Sequence, residues 1–144
     1  MNSPRDVVIG FFEDISGGRE EQAFARLATD ATFEVVAPPP IGGVHYVQGL
    51  ADIMRNHLYA MFSGPLRIDI VATTVEGERV AIEVRTHAPL IDGTTYQNRY
   101  HFLVLVRGGR IVLMREYQNS AYLVETVARV ARFKAAQQAT SAAP

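Results

Sequence analysis

Four side chains of this sequence carry the groups best suited to chemistry: the carboxyl of Glu116, the amide of Asn98, the phenol of Tyr100 and the imidazole of His57. Three of them fall between residues 91 and 119, in IDGTTYQNRYHFLVLVRGGRIVLMREYQN. A carboxylate on a strand has two ordinary fates. It pairs with a cation across the sheet, for which Arg85 is the candidate, or it faces a cavity walled by apolar groups. His57 has the same ambivalence: imidazole titrates near neutrality and suits acid/base work in a pocket, while on an apolar helix face it is often a satisfied core residue. Asn98 can serve backbone groups at a bulge or the oxygen of a ligand. The elements that position these groups decide between the alternatives.

Aromatic and β-branched residues run on both sides of Gly108-Gly109, which predicts antiparallel strands over 94–106 and 110–118. An earlier run, 80–90, ends near Asp92-Gly93, a turn dipeptide, so three strands follow one another as a meander. Side chains alternate along a strand, and a slip of one residue exchanges the two faces. With Asp92-Gly93 as a two-residue turn, His87 pairs with Asn98 and Arg85 with Tyr100. With Arg107-Gly108-Gly109 as a three-residue loop, Val106 pairs with Arg110 and Tyr100 with Glu116. This register puts Arg85, His87, Asn98, Tyr100, Phe102, Met114, Glu116 and Gln118 on one face, and Val80, Ile82, Val84, Leu103, Leu105, Ile111 and Leu113 on the other. A tight two-residue turn at Gly108-Gly109 would break the sorting. Both faces are apolar near that turn, so one covers helices and the other a second chain. Either the Val80/Ile82 face meets the helices and the carboxylate meets solvent, or the mixed face walls a cavity under the helices.

The remaining elements supply those helices. Ser3-Pro4-Arg5-Asp6 has the cap, the proline and the first-turn acid of a helix start; Val7, Val8, Phe11, Phe12 and Ile15 form its apolar side, and Gly17-Gly18 ends it. A second helix is expected over 19–28 and a strand over 31–37, with Phe33 and Val35 on one face. Pro38-Pro39-Pro40 and Ile41-Gly42-Gly43 then impose a loop that would form a rim or lid. Leu50, Ile53, Met54, His57, Leu58 and Met61 recur at helical spacing over 49–62. A strand over 66–75 and a short C-terminal helix over 121–133 complete the pattern. Residues 135–144, polar and alanine-rich, read as a disordered tail. Helices followed by antiparallel strands describe an α+β fold, with residues 1–134 as one domain.

Composition narrows the function classes. With 20% charged and 48% hydrophobic residues the chain has ordinary globular composition, and its net charge of -1 without a basic patch gives no support to nucleic-acid binding. The absence of cysteine excludes disulfides, thiol nucleophiles and thiolate metal sites. No apolar run approaches the roughly 18 residues of a membrane span, and the first residues do not read as a signal peptide, so a cytoplasmic protein without membrane contact is expected. His45 and His101 lack partners at metal-ligand spacing, and no nucleotide or hydrolase fingerprint is present, so neither a metal nor another cofactor is expected.

The helix ending Ser16-Gly17-Gly18, the strand Ala31-Thr32-Phe33-Glu34, the Gly49-led helix, Tyr96-x-Asn98-x-Tyr100 and Arg115-Glu116-Tyr117-x-Asn119 together resemble the nuclear-transport-factor-2-like superfamily. Within it the chain is most similar to the SnoaL-like branch, including phenazine-biosynthesis A/B proteins. The resemblance implies a cone-shaped barrel, a curved, mixed but mainly antiparallel sheet wrapped over N-terminal helices, and a homodimer formed through the outer sheet face. It also favours the mixed face as the cavity wall. The ketosteroid-isomerase acid and tyrosine fall here on Val35 and Phe11, so that mechanism is not expected. The Arg-x-Asp element of limonene-epoxide hydrolases is missing too, although Glu116 could replace the last acid of their Asp-Arg-Asp arrangement. The phenazine proteins carry a glutamate matching Glu116 and a pocket histidine matched by His57 after one residue of slippage. The resemblance thus implies catalytic Glu116 and His57. A carboxyl walled by Met114, Phe102 and Phe33 should have a raised pKa suited to proton transfer, with Asn98 holding an oxyanion and Tyr100 orienting the acid or stacking on substrate. Phe11, Val35, Arg85 and Gln118 complete the expected substrate wall. The function so implied is cyclisation, isomerisation or condensation of a largely apolar, cyclic carbonyl compound. The alternatives are a non-catalytic binder of such molecules, epoxide-hydrolase-like activity, and a dimerising scaffold with no cavity of roughly 300 Å³.

Overall fold

The computed structural model describes residues 2–39 and 42–142. Pro40 and Ile41, in the expected rim loop, and the last two residues of the expected tail lie outside the described residues.

Helix α1 (Pro4–Ser16) begins where the Ser3 hydroxyl accepts from the Asp6 backbone N–H while the Asp6 carboxylate accepts from the Ser3 N–H, each at 3.2 Å. Its stripe of Val7, Val8, Phe11, Phe12 and Ile15 is buried. The second helix is a short segment, α2 (Glu20–Phe24), rather than the expected 19–28, because Arg19 and Arg26 on either side of it both fold back onto the buried Asp14, each at 2.9 Å. The chain enters β1 (Leu27–Val36) immediately afterwards and returns along a short edge strand, β2 (Gly43–Tyr46), for which the sequence gives no clear periodicity. Next comes α3 (Val47–Ile53), continued by a π-helical turn (Met54–Leu58) and a 3-10 turn (Tyr59–Met61). Four strands follow: β3 (Arg67–Glu76), β4 (Arg79–Pro89), β5 (Thr95–Arg107) and β6 (Arg110–Gln118).

The six strands form one mixed sheet in the order β2-β1-β6-β5-β4-β3, with β1 and β6 parallel and every other pair antiparallel. Among the described residues β2 and β3 are the edge strands, so the expected α+β architecture of a mixed sheet under N-terminal helices is present, with the sheet open at its two edges. Helix α1 lies across β3, β4 and β5, and α3 against β1, so both cover the same face. No helix among the described residues is long and apolar enough to cross a membrane.

Both hairpin loops differ from expectation, in opposite senses. At the β4–β5 corner Leu90 donates to Thr94 and Pro89 pairs with Thr95, leaving a three-residue loop, Ile91-Asp92-Gly93, with Gly93 at φ 85°. Ile91 is pulled out of the ladder by a bond from its N–H to the Met61 carbonyl. The extra loop residue slips β4 by one, so Thr86 pairs with Asn98, Val84 with Tyr100 and Ile82 with Phe102. Val80, Ile82 and Val84 therefore face the helices, and Arg85 and His87 face outward, the reverse of their predicted sides. At the β5–β6 corner Gly108 and Gly109, both left-handed, form a two-residue turn with Arg107 opposite Arg110. That turn alone would invert β6. An extra residue, Val112, bulges between the Val106–Ile111 and Leu105–Leu113 pairs and restores the parity. Ile111 and Met114, three residues apart, are consequently both buried, and Glu116 remains on the helix-covered face.

The last helix, α4 (Ser120–Ala142), is longer than predicted: residues 135–142 continue it, where a disordered tail is expected. Only its first half is anchored. Leu123, Thr126 and Val130 are buried, and Arg129 binds Asp92 at 2.9 Å in the β4–β5 loop. Hydrogen bonds from Thr94, and then Arg129, hold the Asp92 carboxyl down at about 2.

Candidate functional site

Between the sheet and its covering helices lies a cavity of about 170 Å³. An apolar cavity of about 150 Å³ accommodates one benzene ring, so this space suits a single small ring and falls below the roughly 300 Å³ of drug-sized pockets. Phe11, Phe12 and Ile15 of α1 form one wall, and Leu50, Ile53, Met54 and Leu58 of α3 and its π turn form a second. The sheet contributes Phe33, Val35, Val84, Phe102 and Met114, while Leu123 of α4 reaches one end. Polar groups come from Thr86, Tyr96, Tyr100, Glu116 and Gln118 alone among the described residues.

Glu116 is the one lining residue that is acidic, and nothing basic lines the wall with it. Burial raises its pKa from 4.5 to about 7, against the smaller opposing effect of a hydrogen bond from Gln118 Nε2 to its Oε2 at 2.7 Å. At neutral pH it can therefore both take and give a proton. Gln118 accepts in turn from Asn98 Nδ2 at 3.2 Å. The same Nδ2 donates to the Tyr96 hydroxyl at 3.1 Å, and Tyr96 and Tyr100 share a hydrogen bond of 2.5 Å. The carboxyl and the two phenols thus lie at opposite ends of one network with Asn98 at its middle. Burial raises the pKa of both tyrosines, Tyr100 the more strongly. The Tyr100 ring also lies nearly parallel to Phe102, with centroids 5.7 Å apart.

Of the side chains singled out from sequence, Phe11, Phe33, Val35, Tyr100, Phe102, Met114, Glu116 and Gln118 line the cavity. Three do not. His57 is exposed, because the π turn of Met54–Leu58 widens the helix at that point and turns it out of a stripe whose other members stay on the covered side. Arg85 is exposed on the outer face through the one-residue slip of β4, directly opposite Arg99, and forms no ion pair with Glu116. Asn98 is buried, but its donors are taken by Tyr96 and Gln118 and its Oδ1 accepts from the Arg99 N–H at 2.8 Å. It stands behind the cavity wall, with its side chain engaged by protein partners. Two polar lining groups, Thr86 and Tyr96, are absent from the expected site. Thr86 is hidden by the same register slip. Tyr96 is recoverable from the two-residue spacing of Tyr96-x-Asn98-x-Tyr100, which puts all three on one face. No three His, Asp or Glu residues among those described come together to hold a metal ion.

No curated protein sequence matches the chain. Its fold is shared by TerC co-crystallised with polyporic acid (TM-score 0.75, 16% identity, covering 87% of this chain and 98% of that chain). An NTF2-like protein of unknown function from Burkholderia pseudomallei superposes with TM-score 0.76 and 16% identity, covering 88% of this chain and 98% of that one. IdmH from Streptomyces antibioticus, a candidate polyketide cyclase, gives TM-score 0.73 at 17% identity over 88% and 99%. At such identities the likeness is one of fold. The family model of the SnoaL-like domain matches residues 8–114, ending just before Glu116. It spans both helical walls and the sheet through Met114, and on that match the chain belongs to the SnoaL-like domain family.

Proposed function

We propose that this protein is a cofactor-independent acid/base enzyme that isomerises, cyclises or condenses a small, largely apolar cyclic carbonyl compound, with Glu116 moving the proton. The observation that carries this reading is a lone carboxyl, pushed up to about 7 by burial, in the apolar wall of a ring-sized cavity. Such a group is near its half-ionised point at neutral pH, where general acid/base catalysis is most effective. The ligand and cyclase descriptions of two proteins of the same fold support a small-molecule role. Epoxide hydrolysis by an Asp-Arg-Asp arrangement finds no support, since no arginine lines the cavity.

Native mass spectrometry of the purified protein, followed by identification of any retained molecule, supplies the substrate class. Glu116→Gln keeps the shape and removes the proton exchange, so turnover of that compound or its relatives should fall by about 10²–10⁴-fold. Unchanged turnover in Glu116→Gln, or retention without turnover, would leave a non-catalytic binder.

The outer sheet face carries exposed Val36, Val44, Tyr46 and Tyr117 around the Arg115–Glu34 ion pair of 2.7 Å. This is the face that a second copy would cover in the homodimer implied by the sequence resemblance.

A further inference from the structure

Main-chain groups set the direction of both amides in the network behind Glu116. Asn98 Oδ1 accepts from the backbone N–H of Arg99 at 2.8 Å, and a backbone N–H is a donor only. At its other end Nδ2 donates to Gln118 Oε1 at 3.2 Å, to the Tyr96 hydroxyl at 3.1 Å and to the Asn119 carbonyl at 3.5 Å. That carbonyl is an acceptor only. Asn98 therefore sits between a fixed donor and a fixed acceptor. Turning its amide over would set N–H against N–H at one end and C=O against C=O at the other.

The constraint passes to Gln118. A reversed Gln118 would press its own amide hydrogens against those of Asn98, so Oε1 stays toward Asn98 and Nε2 toward Glu116 Oε2, 2.7 Å away. Glu116 thus meets a donor whether or not it is ionised. When it takes a proton, Oε2 is already engaged as an acceptor, and the hydrogen goes to Oε1. Oε1 has no hydrogen-bond partner among the described residues, yet it is not sealed in the wall, so it borders the open space of the cavity. The opposite amide direction would do the reverse. A carbonyl facing Oε2 would hold the proton there, out of a ligand's reach, and favour the neutral acid. Of the elements that form the cavity wall, only β5 presents other titratable groups to Glu116, the phenols of Tyr96 and Tyr100, which burial keeps neutral at pH 7; α1, β1, α3, β3, β4 and α4 present none among the described residues.

We propose that Asn98 is a positioning residue for Glu116: held by the Arg99 N–H and the Asn119 carbonyl, it locks Gln118 as a donor to Oε2 and confines proton exchange to Oε1. The proposal rests on the reading of Glu116 as the acid/base group and names the oxygen at which a ligand gives or takes its proton. A side chain behind the cavity wall thereby sets the chemistry in front of it without touching the ligand.

Titration of Glu116, followed by 13C NMR of its side-chain carboxyl, tests this with no substrate. Wild type should titrate near 7. Asn98→Leu, similar in shape but unable to direct Gln118, frees the amide to turn and accept from the neutral acid, and should titrate higher by about one unit. Gln118→Met, which removes the donor itself, should give a similar rise. The double variant should titrate no higher than Gln118→Met, because Asn98 acts through Gln118 alone. Rises that add overturn the lock. So does an Asn98→Leu protein that is folded by circular dichroism and less stable but keeps the wild-type midpoint, which marks a structural role only. Wild type gives an independent reading should a variant fail to fold: one Gln118 amide hydrogen should stay downfield and protected from exchange both below and above the Glu116 midpoint. Its release below the midpoint means that the amide turns with the proton, and overturns the lock while keeping the acid/base reading. A wild-type midpoint near 4.5 overturns the acid/base reading and the proposal with it.

Discussion

A carboxyl whose pKa rises from 4.5 to about 7 on folding binds more protons in the native than in the unfolded chain across that window. Stability should therefore decline as pH rises from about 4.5 to about 7 and then level off, by about 3 kcal/mol in all for a shift of this size. Glu116→Gln removes the decline. Denaturant titrations should show the variant close to wild type near pH 4.5 and more stable by a few kcal/mol at pH 8. If Glu116 acts as a base, kcat/KM should rise through about pH 7 and level off above it. His57, turned to solvent, should contribute nothing to that profile, and His57→Ala should keep both the inflection and the rate. The position of Glu116 on a sheet face with Tyr100, Phe102 and Met114 is legible from two-residue alternation. The outward turn of His57 is not, since a π turn interrupts the helical period without a marker in residue type.

Elements were easier to find than their connections. The Ser3-Pro4 start of α1, all four strands of the second half and the apolar stripe of α3 follow from caps and periodicity, because those signals are local. The two hairpins do not. Asp92-Gly93 becomes part of a three-residue loop because Ile91 bonds to Met61, far away in sequence, and Gly108-Gly109 makes the tight turn that its left-handed residues allow. Arg85 and Thr86 changed sides for that reason alone. Helix α4 shows the converse case: residues 134–142 are exposed, yet they stay helical on alanine-rich composition. Removing residues 135–144 should therefore leave the melting temperature within about 2 °C, as packing and not helix length sets stability. Leu123→Ala, at the anchored end, should cost about 2–3 kcal/mol in a denaturant titration.

For the whole molecule, the exposed apolar outer face predicts self-association. Light scattering coupled to size exclusion should give twice the chain mass of 15.9 kDa, and Tyr117→Glu should shift the mass toward a single chain while leaving the inward-facing cavity intact. The SnoaL-like architecture was legible from the order of elements and a few short motifs, whereas the tyrosine pair required three-dimensional neighbours. The Val112 bulge ties the molecule's history to its chemistry. It behaves like a compensating frameshift: the two-residue turn throws β6 out of phase, and one surplus residue brings it back before position 116. A lineage that lost either irregularity alone would keep every downstream letter of its sequence and still display its acid to the wrong side, so indels between 107 and 113 should survive only in matched pairs.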